Sequence, residues 1–155
     1  MPFNIKQKQT TRGVVNARVS YIDYLEVNAY NNSYRLLQKK KFQKNGVNTD
    51  IPFTDLDGKV KVVKKGFVTL FTTEFGLTIT FDGNMRQTVR LCDAYKNNVC
   101  GLCGNADGNK VNDFVDRKNN IVPIVGPYHT RSFKWGSEWK TPTDNKEEKD
   151  IDGSL

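Results

Sequence analysis

Histidine, cysteine and tryptophan are scarce in this chain, and long apolar runs are absent. Its 155 residues include one histidine, three cysteines and two tryptophans. The single histidine, His129, has no cysteine beside it, whereas a zinc site needs about four nitrogen or sulfur ligands. No run of about 18 apolar residues is present to span a membrane, and no glycine loop ending in Lys and Ser or Thr marks a nucleotide site. The sequence therefore favours a non-enzymatic protein without a membrane span.

Helical periodicity is scarce as well. Apolar residues do not recur at the roughly 3.6-residue period over any long segment, so we expect only a short helical turn near residues 93–97. The strongest segments are instead Phe67–Thr73 and Phe75–Phe81, which are rich in aromatic and β-branched residues. Asn31-Asn32-Ser33 and Asn45-Gly46 are typical of hairpin turns. These features predict an all-β, antiparallel fold with long turns and little helix.

Two further strands are predicted from weaker patterns. The first pattern is an alternation of apolar and polar residues, the period of a half-buried strand, at Val15, Ala17, Val19 and Tyr21, and it continues through Tyr24–Tyr30. The second is a set of apolar residues after a hairpin turn, namely Val47, Ile51 and Phe53. Pro52 suggests that this second strand lies at a sheet edge, because proline cannot donate a hydrogen bond to a central ladder.

Charge is unevenly distributed along the chain. The whole sequence carries a net charge of +7, although its last twelve residues hold five acidic and only two basic side chains. We therefore predict one domain over residues 1–142 and an acidic, disordered tail over residues 143–155. The basic character of the domain favours anionic partners through long-range attraction.

Seven lysines form two basic clusters on strands that are predicted to be neighbours. We consider them a candidate anion-binding face for sulfated glycans or acidic proteins. The alternative is a solvated sheet edge, since lysine commonly prevents edge-to-edge aggregation. Nucleic acid is not favoured, because the aromatic-interleaved basic motifs of RNA-binding domains are absent. The seven residues are Lys39, Lys40, Lys41, Lys44, Lys61, Lys64 and Lys65.

Residues 100–114 are the most distinctive stretch, beginning Cys-Gly-Leu-Cys-Gly-Asn and ending Asn-Asp-Phe. Glycine, asparagine and aspartate at this density exclude a regular helix and predict a tight loop. Ca²⁺ takes about six to eight oxygen ligands from such residues. The candidate ligands are the side chains of Asn105, Asp107, Asn112 and Asp113 and the backbone carbonyl of Asn109. The alternative is a polar turn that binds no ion.

The same stretch resembles the signature of the von Willebrand factor type D (VWD) domain, an extracellular calcium-binding module. Flanking segments follow the order of that family, among them Gly13–Ser20 and Gly76–Gly83. Ser132–Lys140 is similar to the family's closing aromatic segment, so the resemblance runs from about Phe3 to Trp139. It implies an antiparallel β-sandwich, a secreted or extracellular location and Ca²⁺ as the bound ion.

The chain also departs from the family pattern. No segment with the family's Gly-Asp-Pro-His and Phe-Asp-Gly motifs precedes Phe3, so the calcium site lacks one expected carboxylate. Tyr21 stands where family members often carry a cysteine. The partners that normally staple the two loop cysteines to early strands are therefore missing, and Cys92 is an additional cysteine.

Three cysteines leave at least one thiol without a partner inside the chain. Cys92 and Cys100 are separated by eight positions around a turn, and we predict a Cys92–Cys100 disulfide with Cys103 left over. Cys100 and Cys103 alternatively form a redox pair. Such pairs typically lie at a helix N-terminus, and the residues after Cys103 are a poor helix start.

Three functions follow from these features. The leading one is a non-enzymatic, calcium-binding structural, adhesion or assembly module whose partners are other extracellular proteins or further VWD-type domains. The second is the VWD domain of a yolk-type lipid-carrying protein, and the third is thiol–disulfide exchange at the Cys-x-x-Cys pair. Asn31 begins a sequon and is the candidate glycosylation site. Met1–Lys6 lacks the apolar segment of a signal peptide, so we expect Met1 to begin a fragment.

Overall fold

The chain folds almost entirely into β-strands. The computed structural model describes residues 3–101, 103–122 and 139. Over these residues it contains two antiparallel five-stranded sheets and no helix longer than three residues, which confirms the predicted all-β class. No helix in the described part of the chain is long and apolar enough to cross a membrane.

The chain divides into two compact units, Met1–Cys92 and Asp93–Leu155. Both sheets belong to the first unit. Several predictions fall on residues that the structure does not describe: those for Leu102, for His129, for the tail over residues 143–155, and for Ser132–Lys140 apart from Trp139.

Each sheet is a meander in which neighbouring strands follow one another along the chain. The first sheet contains β1 (Phe3–Thr10), β2 (Tyr21–Ala29), β3 (Asn32–Leu37), β4 (Lys41–Lys44) and β5 (Val47–Asn48). The second contains β6 (Phe53–Asp55), β7 (Val60–Lys65), β8 (Val68–Thr73), β9 (Thr78–Phe81) and β10 (Gln87–Arg90). Short 3₁₀ turns cover Gln38–Lys40, Leu56–Gly58, Asp93–Tyr95 and Lys110–Asn112. The third of these is the helical turn predicted near residues 93–97.

The inner faces of the two sheets pack on each other. The ring centroids of Tyr34 on β3 and Phe71 on β8 are 5.6 Å apart, and those of Phe42 on β4 and Phe53 on β6 are 5.1 Å apart. Full burial of one large apolar side chain contributes about 1.5–3 kcal/mol. This packing confirms the antiparallel β-sandwich. Its fully buried apolar core consists of Leu25, Val27, Tyr34, Leu36, Phe42, Val60, Val62, Phe71, Leu77, Ile79 and Phe81.

Two predicted hairpins are confirmed. Tyr30 and Asn31 turn the chain between β2 and β3 with φ of 52° and 58°, and Asn45 and Gly46 turn it between β4 and β5 with φ of 49° and 79°. Positive φ at both central residues is the signature of the type I′ turn, whose twist matches that of the flanking strands.

The strand predicted from Val15 to Tyr30 begins too early: its second part is β2 (Tyr21–Ala29), but the part before Tyr21 is wrong. Residues 11–20 connect β1 to β2 without regular structure, and Val15 is 75% exposed. Three positions in this connection take positive φ: Arg12 at 56°, Gly13 at 75° and Asn16 at 57°. A chain that repeatedly enters the left-handed region of φ and ψ cannot stay extended, so residues 11–20 do not form a strand despite their alternating apolar residues.

The single strand predicted from Val47 to Phe53 is also wrong. Val47 and Asn48 end the first sheet as β5, and Phe53 begins the second sheet as β6. The chain changes sheets between them, around a cis peptide bond joining Ile51 to Pro52. Val47 is 66% exposed, whereas Ile51 and Phe53 are partly buried, so these apolar residues do not share one face, although the sequence suggests one continuous strand.

Candidate functional site

The five candidate calcium ligands lie in one compact loop, residues 103–113, which we call the Asn/Asp loop. Its start is held to the preceding segment, because the Asn97 amide donates to the Asn105 carbonyl over 2.9 Å and Asn105 Nδ2 donates to Asn97 Oδ1 over 3.3 Å. Its end is the 3₁₀ turn at Lys110–Asn112, where Asn109 Oδ1 accepts from the Val111 amide over 3.1 Å. The loop is therefore an ordered structure built by its own side chains.

Asp107 is the centre of the Asn/Asp loop. Its Oδ2 accepts from Asn112 Nδ2 at 2.9 Å and from Asn105 Nδ2 at 3.1 Å, and its Oδ1 accepts from the Asn109 amide at 2.6 Å. The bonds from the Asn112 side chain and the Asn109 backbone hold the pKa of Asp107 below its ordinary value. The carboxylate is thus kept charged and pointed into the loop.

Asn112 has an oxygen that the described residues leave without a partner. Its Nδ2 donates to Asp107, while its Oδ1 is buried and accepts no hydrogen bond. A buried, unpaired acceptor costs roughly 1–3 kcal/mol. Half a turn about the Cβ–Cγ bond exchanges the NH₂ group and the oxygen, and Asn105 can make the same exchange. Both amides can therefore present oxygen beside the Asp107 carboxylate.

Asp113 is fixed by close packing on Gly104. Gly104 is buried with φ of 75°, and a Cβ added there would lie 2.1 Å from Asp113 Oδ1. No real side chain tolerates that distance, so only glycine lets the second carboxylate of the loop occupy this position. Apart from the glycine itself, no feature of the sequence indicates this contact or the role of Asn97.

The donor set fits a hard cation of modest affinity. Hydrogen bonds join Asn105 and Asn112 to Asp107, and Asp113 packs on Gly104. The Asn109 side chain caps the 3₁₀ turn, so only its backbone carbonyl, the predicted ligand, is left for an ion. No group of three or more His, Cys, Asp or Glu side chains that could hold a metal occurs among the described residues. Two carboxylates with amide and carbonyl oxygens are the chemistry of a weak Ca²⁺ site, since affinity rises with ligand charge. Ca²⁺ binding itself stays a prediction.

The three cysteines Cys92, Cys100 and Cys103 are exposed free thiols in this structure. The predicted Cys92–Cys100 disulfide is therefore not formed here. Its formation under oxidising conditions stays a prediction, as does the alternative redox pair of Cys100 and Cys103.

The candidate anion-binding lysines divide into three groups. Lys44 Nζ pairs with Asp55 Oδ2 at 2.6 Å, so its charge is already neutralised. Lys61 lies in the middle of β7, opposite Thr54 and Thr72. The remaining five lie near one end of the sandwich, where the β3–β4 and β7–β8 connections are located: Lys39, Lys40, Lys41, Lys64 and Lys65.

Asn31 lies at the opposite end of the sandwich. It occupies the β2–β3 turn and is exposed, beside an open cleft of about 400 Å³ lined by Tyr30, Leu56, Asp57 and Lys59. Its position suits a glycan acceptor, and its modification stays a prediction.

Sequence comparisons agree with the fold and the loop. The family model of the von Willebrand factor type D domain matches residues 3–120. Human IgGFc-binding protein is 34% identical over 143 residues, covering 91% of this chain and 2% of that protein. Mouse alpha-tectorin is 35% identical over 117 residues, covering 73% and 5%, and pig zonadhesin is 28% identical over 125 residues, covering 81% and 5%. The chain thus spans a small part of each relative's length.

Proposed function

Because the chain belongs to the von Willebrand factor type D domain family, we propose that it is a non-enzymatic, calcium-ordered module in the assembly or adhesion of an extracellular protein. Its partners are other extracellular proteins or further VWD-type domains. The ion has a structural role in this proposal: it holds the Asn/Asp loop and presents the surface that the loop carries.

The relatives support the structural role. IgGFc-binding protein, alpha-tectorin and zonadhesin contain VWD domains and are extracellular proteins of structural or adhesive type. They do not favour the alternatives of a yolk-type lipid carrier or a thiol–disulfide exchange module. Because this chain covers so little of each relative, its binding partner is not transferred from any of them.

The single observation that carries the calcium proposal is the buried Asn112 Oδ1 beside Asp107. An oxygen that is withdrawn from water and left without a donor is an incomplete arrangement. A bound Ca²⁺ would supply the missing positive partner to oxygens of Asn105, Asp107, Asn112 and Asp113. The protein's own contribution is to hold these groups in one loop through the contacts at Asn97 and Gly104.

A thermal unfolding experiment tests the proposal. The affinity expected of an extracellular site with few carboxylates is about 10⁻⁴–10⁻³ M. At about 10 mM CaCl₂ the unfolding temperature should then rise by about 3–10 °C relative to EDTA, because the ion binds only the folded state. Asp107→Ala and Asp113→Ala should each abolish the rise.

Asp116→Ala is the matched control. Asp116 accepts the Lys118 and Asn120 amides at 2.8 and 2.9 Å in a neighbouring turn of the same unit, so its loss removes one loop carboxylate outside the candidate site. This variant should retain the calcium-dependent rise. An unchanged unfolding temperature of the wild-type protein in calcium, or an equal rise in Asp107→Ala, would overturn the proposal.

A further inference from the structure

One end of the sandwich gathers four connections that lie far apart in sequence. They are the β1–β2 connection (residues 11–20), the β3–β4 turn (38–40), the β7–β8 tip (66–67) and the β9–β10 turn (82–86), which together we call the basic end. The Lys39 amide donates to the Gly83 carbonyl over 3.1 Å, and the Ile22 amide donates to the Asn84 carbonyl over 2.9 Å. The β7–β8 tip joins them because Thr69 on β8 pairs with Phe81, the last residue of β9.

Cations dominate the basic end. The four connections and the adjoining strand ends carry eight basic side chains: Arg12, Arg18, Lys39, Lys40, Lys41, Lys64, Lys65 and Arg86. The four connections contain one carboxylate, Asp82, whose Oδ1 accepts the amides of Asn84, Met85 and Arg86 at 2.8–3.0 Å. That carboxylate is engaged in its own turn, so the eight positive charges face solvent largely uncompensated.

Apolar side chains protrude from the same end. Phe67 at the β7–β8 tip is 87% exposed, Val15 in the β1–β2 connection 75%, and Met85 in the β9–β10 turn 46%. Val14 and Val19 are also exposed in the β1–β2 connection. Each of these large apolar groups lies in a connection that contains or adjoins basic residues, and none of them contributes to the core.

The opposite end has neither property. Its connections, residues 30–31, 45–46, 56–59 and 74–77, contain one basic and two acidic side chains. Leu56, 37% exposed, is the exposed large apolar residue in them, and Val47, 66% exposed, adjoins the 45–46 turn as the first residue of β5. Five of the eleven exposed large apolar residues in the described part of the chain thus lie together at the basic end, whereas the other six are spread over the rest of the surface, as single exposed hydrophobic residues usually are.

We propose that the basic end docks on a lipid bilayer surface rich in anionic headgroups. Basic side chains near such a surface gain about 1 kcal/mol each, and protruding apolar side chains enter the boundary between headgroups and acyl chains. A sulfated glycan would engage only the cations and would leave the apolar groups in water. The exposed apolar residues lie in three separate connections, β1–β2, β7–β8 and β9–β10. A fluid lipid surface can accept each of these connections individually, which a single rigid protein groove cannot.

Vesicle co-sedimentation of the whole chain tests the proposal. The chain should bind vesicles of phosphatidylcholine containing about 30% phosphatidylserine and should not bind pure phosphatidylcholine, and salt should weaken the binding. Phe67→Ser should lower the partition coefficient about tenfold, since it removes one inserted aromatic group without changing charge. Val47→Ser is the control: Val47 is 66% exposed on β5, away from the basic end, and its loss should have no effect.

Charge is tested separately. The double variant Lys64→Gln/Lys65→Gln should lower binding about thirtyfold, at about 1 kcal/mol for each lysine, whereas Lys61→Gln should retain most of it. Circular dichroism should be the same for all variants, because every mutated side chain is exposed. Equal binding to neutral and anionic vesicles, or no binding to anionic vesicles, would overturn the proposal. Retention of the chain on heparin, with Phe67→Ser behaving like the wild type in both the heparin and the vesicle assay, would also overturn it and would indicate a glycan site instead.

Discussion

A side chain at position 104 cannot coexist with Asp113 in its observed position. Gly104→Ala would place Cβ 2.1 Å from Asp113 Oδ1 and would also strain a backbone held at φ of 75°. Gly108→Ala is the matched control, since Gly108 has φ of 85° but no atom within 4 Å of an added Cβ. The two variants therefore share the backbone strain and differ only in the clash.

We expect Gly108→Ala to lower the free energy of unfolding by about 1–2 kcal/mol, the cost of a left-handed conformation for a residue with Cβ. Gly104→Ala should cost more and should also eliminate the calcium-dependent rise in unfolding temperature. Denaturant titration with and without calcium measures both effects. Equal losses in the two variants, with calcium response retained, would show that the Gly104–Asp113 contact does not hold the loop.

At the scale of strands, one polar contact joins the two sheets beside the apolar core. Asp55 at the end of β6 accepts Lys44 Nζ from β4 at 2.6 Å and the Tyr34 hydroxyl from β3 at 2.8 Å. Burial by itself raises the pKa of Asp55, but the bonds from Lys44 and Tyr34 outweigh it and hold the pKa below its ordinary value. Burial, together with the hydrogen bond to the same carboxylate, raises the pKa of Tyr34.

This contact predicts an acid-sensitive link between the sheets. Because the pKa of Asp55 in the folded protein is below its unfolded value of about 3.9, the ionised group stabilises the fold above that pH. The stabilisation is lost as pH falls through the folded-state pKa. Asp55→Asn should therefore lower the free energy of unfolding by about 1–3 kcal/mol at neutral pH and flatten its decrease between about pH 4 and 2.

Unfolding titrations from pH 7 down to about pH 2 measure this prediction. Asp57→Asn is the control, because Asp57 is exposed in the adjoining turn with φ of 55°, a conformation that asparagine tolerates. Its profile should follow the wild type. If Asp55→Asn retained the full acid dependence, the link between β3, β4 and β6 would not be the source of it.

The sequence predicts those strands and turns whose conformation depends on neighbouring residues in the chain. The type I′ turn at Asn45-Gly46 follows from residues that accept positive φ, and the β8 and β9 strands follow from their own composition. The first hairpin is predicted at Asn31-Asn32-Ser33, but its turn lies one residue earlier, at Tyr30-Asn31. The change of sheet between Val47 and Phe53 depends on which core each side joins, and the loop at 11–20 depends on contacts of Arg12 and Ile22 with the distant β9–β10 turn. Such long-range pairings have no local signature.

The same distinction applies to the candidate site. The candidate ligands Asn105, Asp107, Asn112 and Asp113 are predicted from the sequence because these oxygen-bearing residues lie close together in one short stretch of the chain. The support from Asn97 and the neutralisation of Lys44 by Asp55 are contacts between side chains whose proximity only the folded chain reveals. The clustering of charge at the basic end is likewise invisible in sequence, since it combines four connections between residues 11 and 86.

At the scale of the whole molecule, the surface of the sandwich is polarised. The basic end carries the lysines and the protruding apolar tips, while the opposite end carries the exposed Asn31 and a nearly neutral set of turns. A glycan on Asn31 would project from the end remote from Phe67 and would not cover the basic end. The net charge of +7 is therefore better described as a local property of one end than as an average over the domain.

The central claim is that converging Asn and Asp oxygens order residues 103–113 around Ca²⁺. Hydrogen–deuterium exchange in calcium and in EDTA tests it most directly, because exchange reports local opening segment by segment. Calcium should slow exchange at the amides from Asn97 to Asp113 by at least about tenfold and leave β2 and β8 unchanged, and Asp107→Ala should abolish the difference. Identical exchange of this segment in calcium and EDTA, or slowing that persists in Asp107→Ala, would contradict the account.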